Sequence, residues 1–142
     1  MPVQYGSITT EAHQEPSVRL KIIYDSLLQL IERYKPDAMA VEKLYFNRNV
    51  TTAFQVGQAR GVMMLAAEQN HLEIAEYTPL QVKQAVVGYG KAEKKQVQEM
   101  VRILLNLQSV PKPDDVADAL AIAICHSHAG GFYSTLSEGK RP

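Results

Sequence analysis

The chain has 142 residues, of which 46% are hydrophobic and 21% charged, a composition that is typical of one globular domain and excludes an intrinsically disordered chain. Lysine plus arginine equals aspartate plus glutamate at 15 each, so the net charge neither favours nor excludes a nucleic-acid partner. The sequence has no apolar run long enough to span a membrane, no secretory signal and a single cysteine, Cys125, so we expect a cytoplasmic protein without a disulfide framework.

The first half of the chain predicts an alternation of strands and helices. Residues 3–9 are rich in β-branched and aromatic types and weakly predict a strand. Apolar residues recur at helical spacing over 16–34, and the proline at position 36 should end that helix. Residues 38–42 are apolar until the last one and predict a buried strand, which a second helix over 50–69 follows.

One region of the second predicted helix is unusually rich in small residues, namely Ala53, Gly57, Ala59 and Gly61. Glycine costs about 1 kcal/mol in a helix interior relative to alanine, so two glycines require a packing reason. We therefore expect another helix or a sheet to approach this region closely.

The second half of the chain continues the alternation. Residues 72–77 predict a strand, and a Thr-Pro pair then caps a short helix that should end by Gly88. A further helix is predicted over 91–107. A last helix should begin near Asp114 and stop at the Gly130-Gly131 pair.

Strand–helix alternation with short loops predicts the α/β class, with a sheet that is largely covered by helices. Because the last predicted helix ends at a glycine pair and polar residues follow it, we expect one domain over residues 1–131 and a flexible C-terminal tail over 132–142.

Three carboxylates are candidates for a functional site. Glu42 closes an apolar strand, and ligands of open α/β sheets bind just beyond the carboxyl ends of the strands. Asp115 and Asp118 are three residues apart, on one face of the start of the last helix, where the helix dipole favours ionised carboxylates. The apolar sequence that follows predicts a buried helix, in which a metal ion would offset the cost of buried charge.

Simpler readings of these acids stay open. Glu42 could mark a strand-to-loop boundary, and aspartates at a helix start are often caps, a role that we assign to Asp114. Carboxylates around two Mg²⁺ ions would suit phosphodiester cleavage. The sequence has no glycine-rich phosphate loop and no zinc-ligand spacing, and His126 and His128 are more typical of surface residues than of ligands.

Aromatic and basic residues add a nucleic-acid hypothesis. Tyr45 and Phe46 follow Glu42 in a polar loop, where they could stack on or wedge between bases, or else pack into the core. Residues 43–67 hold three basic residues and no acidic one, and residues 83–102 hold five basic and two acidic residues. These cations either form a phosphate-binding face or lie on solvated helix surfaces.

Four long segments together resemble a known family, the bacterial Holliday-junction resolvases named RuvC, of the RNase H-like superfamily. The resemblance runs from about Tyr5 to His128. It is specific because the segments occur in the family's order and spacing, and they are AVEKLYFNRN (40–49), GQARGV (57–62), YTPLQVKQAVVGYGKAEKKQVQ (77–98) and DDVADALAIAICH (114–126).

The resemblance implies a homodimeric crossover junction endodeoxyribonuclease that binds four-way DNA junctions and makes paired nicks. It implies Mg²⁺ as cofactor, two ions in number, with Mn²⁺ as a substitute, and a branch-migration helicase complex as partner. Glu42, Asp115 and Asp118 match the family's catalytic and metal-binding acids.

The resemblance also assigns DNA contacts. Tyr45 takes the position of an aromatic residue that wedges into the junction, with Phe46 beside it. Lys83 and Lys94 match basic positions near the cleaved strand, and Arg48 matches one near the scissile phosphate. The segment rich in small residues corresponds to the dimer interface.

The sequence departs from the family at one motif. The family begins with two strands, the first ending in Gly-Ile-Asp-Pro-Gly and carrying the first catalytic aspartate, and the 142 residues contain no such segment. We expect the polypeptide as written to lack one of four carboxylates and to be inactive or nearly so, and poorly stable. Two other hypotheses stay open, a junction-binding dimer that does not cut and a metabolic or structural α/β protein.

Overall fold

The computed structural model describes residues 2–43 and 50–138, with side chains described over 2–43 and 50–129. The described chain is α/β, as predicted. In these parts of the chain no helix combines the length and apolar character needed to cross a membrane. The elements in chain order are α1 (Pro16–Tyr34), β1 (Ala38–Glu42), α2 (Val50–Gln69), β2 (Glu73–Tyr77), α3 (Pro79–Val86), α4 (Lys94–Leu104) and α5 (Asp114–Glu138).

The strands β1 and β2 pair in parallel. The amide of Glu73 donates to the carbonyl of Asp37 over 3.2 Å, and the amide of Lys43 donates to the carbonyl of Tyr77 over 2.8 Å. Both pairings ascend along the two strands, which is the parallel register, and α2 supplies the crossover that a parallel pair requires. The carboxyl ends of both strands, at Glu42 and Tyr77, therefore lie at the same edge.

Local sequence signals fix several element boundaries as predicted. The helix α1 ends at Tyr34, where Lys35 turns left-handed with φ of 47° before Pro36. Thr78 caps α3 by accepting from the amide of Gln81 over 3.1 Å, while the Gln81 side chain accepts from the amide of Thr78 over 2.8 Å. Gly88, with φ of 83°, takes the left-handed conformation just beyond the end of α3.

The strand predicted over residues 3–9 is wrong. These residues are exposed and form no strand with any part of the chain that the structure describes. A strand is stable only when its backbone groups pair with a neighbour, and β-branched composition does not supply that neighbour.

Three helix boundaries also differ from the prediction, one of which is the end of α4, at Leu104 and not at residue 107. The helix α4 begins at Lys94 instead of Lys91, because the Gln96 side chain accepts from the Glu93 amide over 2.7 Å and sets the helix start there. The helix α5 does not stop at the glycine pair 130–131 but continues to Glu138. Glycines weaken a helix without ending one whose backbone hydrogen bonds continue on both sides. The predicted division of the chain at residue 131 stays a prediction.

The chain forms two compact units, one of which comprises residues 8–39 and 44–75. Its core lies where α1 and the C-terminal half of α2 meet, and Ala66 and Ala67 are completely buried there. These small side chains allow the two helices to approach closely. The buried core residues are Ile31, Ala66, Ala67 and Leu72, with Tyr24, Leu27, Leu28, Met39 and Ile74 packed against them.

The close packing expected around Gly57 and Gly61 is not found within the described chain. A Cβ atom added at either glycine would meet no described atom within 4 Å. The packing of the described residues of this unit therefore does not account for two glycines in the middle of α2.

The other unit comprises residues 1–7, 40–43 and 76–142, and in it α3, α4 and α5 pack together. The buried residues of α5 recur at helical spacing on a single face, whereas Ala119 and Ala123 are exposed. The sequence predicted a buried helix because its residues are apolar almost all round, but the structure buries only one of its faces. The buried residues of α5 are Val116, Ala117, Leu120, Ala121, Ile124 and Cys125.

Candidate metal centre

Glu42 and Asp118 come together at the carboxyl end of β1. Glu42 is the last residue of β1, and Asp118 lies in the second turn of α5, half-buried. Desolvation by neighbouring atoms raises the pKa of Glu42, the negative charge of Asp118 raises it further, and the Lys94 ammonium opposes both. The two carboxylates are therefore close enough to repel each other.

The pKa of Asp118 is also raised, but by a different set of neighbours. Burial raises the pKa of its carboxyl, the Lys94 ammonium lowers it, and the negative charges of Asp115 and Asp114 raise it again. Both pKa values are raised first by burial and then by neighbouring carboxylates, so a bound cation would offset the cost of ionising these groups.

Lys94 supplies the cation that the described residues place nearest to these acids. Its Nζ lies 3.5 Å from Oδ2 of Asp114 and 3.9 Å from Oδ2 of Asp118. Lys112 Nζ lies 3.4 Å from Oδ1 of Asp114, and these two lysines hold the pKa of Asp114 below its usual value. Asp114 thus contacts two lysines, whereas Asp118 contacts Lys94 alone among these lysines and acts electrostatically on Glu42.

Two nearby carboxylates supply oxygen ligands of the kind that hard divalent cations prefer. Mg²⁺ is commonly held through one or two carboxylates, with water and substrate phosphates completing its coordination. Among the residues whose side chains the structure describes, no three His, Cys, Asp or Glu groups are arranged to hold a metal ion. Glu42 and Asp118 are the two candidate donors that interact electrostatically, and Asp115 is a further candidate that also raises the pKa of Asp118.

The other predicted site residues fall into two groups. Asp115 is exposed in the first turn of α5, and Lys83 is half-buried on α3, which packs against α5 and α4. Tyr45, Phe46 and Arg48 lie outside the described residues.

One contact near the site was missed by the sequence analysis. The phenol oxygen of Tyr77 lies 2.6 Å from Nδ1 of His126, so His126 is a half-buried partner of the β2 strand and not a typical surface residue. The sequence offered little indication of this contact, because His126 lies only at the border of the buried face of α5. Burial raises the pKa of the neighbouring Cys125 thiol, which disfavours its reactive thiolate form.

Comparisons with known proteins place the chain among nucleases. A family profile described as "Crossover junction endodeoxyribonuclease RuvC" matches residues 1–126. A protein of that description from Brevibacillus brevis is 63% identical over 138 residues, which cover 97% of this chain and 82% of the relative. One from Alkaliphilus metalliredigens is 61% identical over 132 residues, which cover 93% and 80%.

Solved structures agree with these sequence matches. The structure of RuvC from Thermus thermophilus superposes with a TM-score of 0.80 at 37% identity, covering 92% of this chain and 76% of that one. The same protein in complex with a Holliday junction substrate gives a TM-score of 0.82 at the same identity and coverage. The RNase H-like fold expected from the sequence is thereby confirmed.

Proposed function

The chain belongs to the RuvC family of crossover junction endodeoxyribonucleases, and we propose that it cuts four-way (Holliday) junctions in recombination and repair by paired, metal-dependent nicking. The observation that carries this proposal is the proximity of Glu42 and Asp118, since a nuclease of this kind needs carboxylates that converge from different elements. Action in the cytoplasm is part of the proposal.

The proposed catalytic and metal-binding residues are Glu42, Asp115 and Asp118. The proposed metal is Mg²⁺, two ions in number, with Mn²⁺ as a substitute. When bound, the metal activates a water molecule and stabilises the departing oxygen of the phosphodiester. The carboxylates hold and orient the metal, and Lys94, at 3.9 Å from Asp118, offsets their negative charge before DNA arrives.

The proposed DNA contacts are Tyr45, Phe46, Arg48, Lys83 and Lys94. Lys94 and Lys83 belong to helices that pack with α5, so both are carried by the same unit as the carboxylates. The two aromatic residues follow Glu42 by three and four positions in the sequence, and the proposal assigns them stacking contacts with bases. They act in this proposal as a wedge at the junction.

Salt dependence tests the basic residues one at a time. Replacing Lys83, Lys94 or Arg48 with alanine should flatten the plot of log affinity for a junction against log salt concentration by about 1, because each lost phosphate contact releases one counterion fewer. Fluorescence anisotropy with a labelled junction measures the slope. Lys21→Ala, on α1 and paired with Asp25 at 2.6 Å, serves as the control and should keep the slope of the unsubstituted chain. An unchanged slope in any of the three variants removes that residue from the proposed interface.

The chain is proposed to act as a homodimer through α2. Large apolar side chains and the two glycines share one exposed face of this helix, which we call the α2 stripe. The exposed fractions are 72% at Val50 and 68% at Phe54, values that are high for side chains of this type. The α2 stripe consists of Val50, Phe54, Gly57, Gly61 and Leu65. A branch-migration helicase complex is the further proposed partner.

The alternative function is a dimer that binds junctions without cutting them. It is favoured by one finding, that no three His, Cys, Asp or Glu side chains are arranged to hold a metal ion among those that the structure describes. We expect the 142-residue chain to shift a synthetic four-way junction in a gel, in preference to a linear duplex, and to nick it weakly or not at all.

Joining the first two strands of a family member upstream of this chain tests the nuclease itself. The joined protein should make paired nicks that require Mg²⁺, and Asp118→Asn in the same protein should not. Binding without nicking by the joined protein would replace the proposal with the non-cutting alternative. Nicking at the full rate by the 142-residue chain would show that the fourth carboxylate is dispensable.

A further inference from the structure

Tyr77 contacts both of the elements that carry the paired carboxylates. Its backbone carbonyl accepts from the amide of Lys43 over 2.8 Å, and Lys43 directly follows Glu42. Its phenol oxygen lies 2.6 Å from Nδ1 of His126 on α5, the helix that carries Asp118. Tyr77 is 6% exposed, and its hydrogen bond with the half-buried His126 is partly shielded from water.

The contact with His126 restricts how α5 can rotate and slide. The two rings have centroids 5.8 Å apart and planes tilted by 57°, so the hydrogen bond is accompanied by ring packing. The preceding residue of α5, Cys125, is buried, with Sγ 3.8 Å from the carbonyl of Gln81 in α3. Two successive residues of α5 are thus held against the segment formed by β2 and α3.

Restricting the rotation and sliding of α5 at His126 also fixes the position of nearby residues of the same helix, because a short helical segment moves as a rigid unit. Asp118 lies eight residues before His126, or about 12 Å along the helix axis. Glu42 and Asp118 repel each other when both are ionised, so they stay together only if the surrounding structure holds them. A metal site also depends strongly on how well its ligands are oriented before the ion binds.

We propose that Tyr77 and His126 are a positioning pair that sets the register of α5 against the β-sheet edge, so that Asp118 faces Glu42. The pair touches neither substrate nor metal and acts through the two carboxylates. This inference rests on the proposed function, because the register is useful only if Glu42 and Asp118 share a ligand.

The test uses the 142-residue chain and three substitutions on α5. His126→Leu removes the hydrogen bond, His126→Asn restores a polar atom near the position of Nδ1, and His128→Leu is the matched control on the exposed side of the same helix. Mn²⁺ is titrated while nuclear magnetic resonance records paramagnetic broadening of the Lys43 and Asp118 amides. The Tyr77–His126 bond itself is followed through the ¹⁵N shift of Nδ1, which Tyr77→Phe should alter.

We expect His126→Leu to weaken Mn²⁺ binding roughly 10-fold, as substitutions behind metal ligands do, and to move the Asp118 amide resonance in metal-free buffer. His126→Asn should recover most of the affinity, and His128→Leu should change neither measurement. Equal loss of affinity in His126→Asn and His126→Leu would reduce His126 to a packing residue and overturn the proposal.

Failure of this inference and failure of the proposed function give different results. If the unsubstituted chain shows no Mn²⁺ broadening at Lys43 or Asp118, the proposed metal site is wrong. The metal-free displacement of the Asp118 resonance in His126→Leu then still decides whether the pair sets the register. Normal binding by the unsubstituted chain with no displacement in His126→Leu overturns the positioning role alone.

Discussion

Asp118→Asn is expected to lower the affinity of the chain for Mn²⁺ by at least about 10-fold and, at the same time, to raise its thermal stability in metal-free buffer at neutral pH. The affinity falls because one of the two facing carboxylates is lost. Stability rises because burial and like charge raise the pKa of Asp118, which means that its ionised form is unfavourable in the folded chain. Calorimetric titration and thermal unfolding measure the two effects.

The direction of the pKa shift also fixes the pH dependence of the stability gain. A carboxyl with a higher pKa in the folded than in the unfolded chain destabilises the fold when it is ionised. That penalty is complete above the folded-state pKa and disappears as the pH falls below the unfolded-state value. The advantage of Asp118→Asn should therefore be largest at neutral pH and shrink as the solution is acidified through the raised pKa.

Asp114→Asn provides a matched control one turn earlier in the same helix. Asp114 has a lowered pKa because of its hydrogen bond with Lys112 and the charge of Lys94, so its ionised form stabilises the folded chain. Its replacement should lower thermal stability at neutral pH and leave the Mn²⁺ affinity nearly unchanged. The two aspartate variants thus change stability in opposite directions.

An unchanged Mn²⁺ affinity in Asp118→Asn would contradict the proposed site. Asp118 would then only interact with the dipole at the start of α5, as expected under the hypothesis of a metabolic or structural protein. A loss of affinity in Asp114→Asn as large as that in Asp118→Asn would instead move the metal toward Asp114.

Sequence patterns predicted the elements whose boundaries are set locally. Pro36 ends α1, and the Thr78-Pro79 pair starts α3, because the proline ring and the capping side chain act on the neighbouring backbone itself. The strand expected over residues 3–9 failed because strand formation depends on a distant partner. The length of α5 was underestimated because a glycine pair only lowers helix propensity.

In the candidate site, too, features set by local sequence were predictable, whereas contacts between distant elements were not. Glu42 was predicted from its place at the end of an apolar strand and Asp118 from its helical spacing, and their role as metal ligands stays a prediction. The position of Lys94 between Asp114 and Asp118 was not predictable, because it depends on how α4 packs against α5. The Tyr77–His126 contact joins residues 49 positions apart, and no periodic pattern encodes a pairing at that separation.

Gly57→Leu is expected to disrupt the proposed homodimer while leaving the single chain folded. Within the described chain, nothing lies within 4 Å of a Cβ atom at Gly57, so the monomer has room for the new side chain. The monomer also gains helix propensity, since glycine is roughly 1 kcal/mol less favourable than other ordinary helix residues. Loss of function in this variant could therefore not be attributed to misfolding.

The same substitution is expected to destabilise the dimer. Glycines on a helix face allow a second helix to approach closely, and a leucine in the middle of the α2 stripe would hold the partner helix away. Losing well-packed contacts at the centre of an interface makes the free energy of association less favourable by several kcal/mol. The dissociation constant of the dimer should therefore rise on the order of 100-fold or more. Sedimentation equilibrium measures the dissociation constant, and circular dichroism checks that the dissociated monomers remain folded.

Gln55→Leu is the matched control, because it introduces the same side chain at an exposed position of α2 away from the α2 stripe. It should leave the dissociation constant close to that of the unsubstituted chain. Since paired nicks on opposite strands require two copies of the site held at a fixed separation, Gly57→Leu should also convert paired nicking into isolated single nicks in the joined protein. A dimer that survives Gly57→Leu, or is lost equally in Gln55→Leu, would place the interface on another surface.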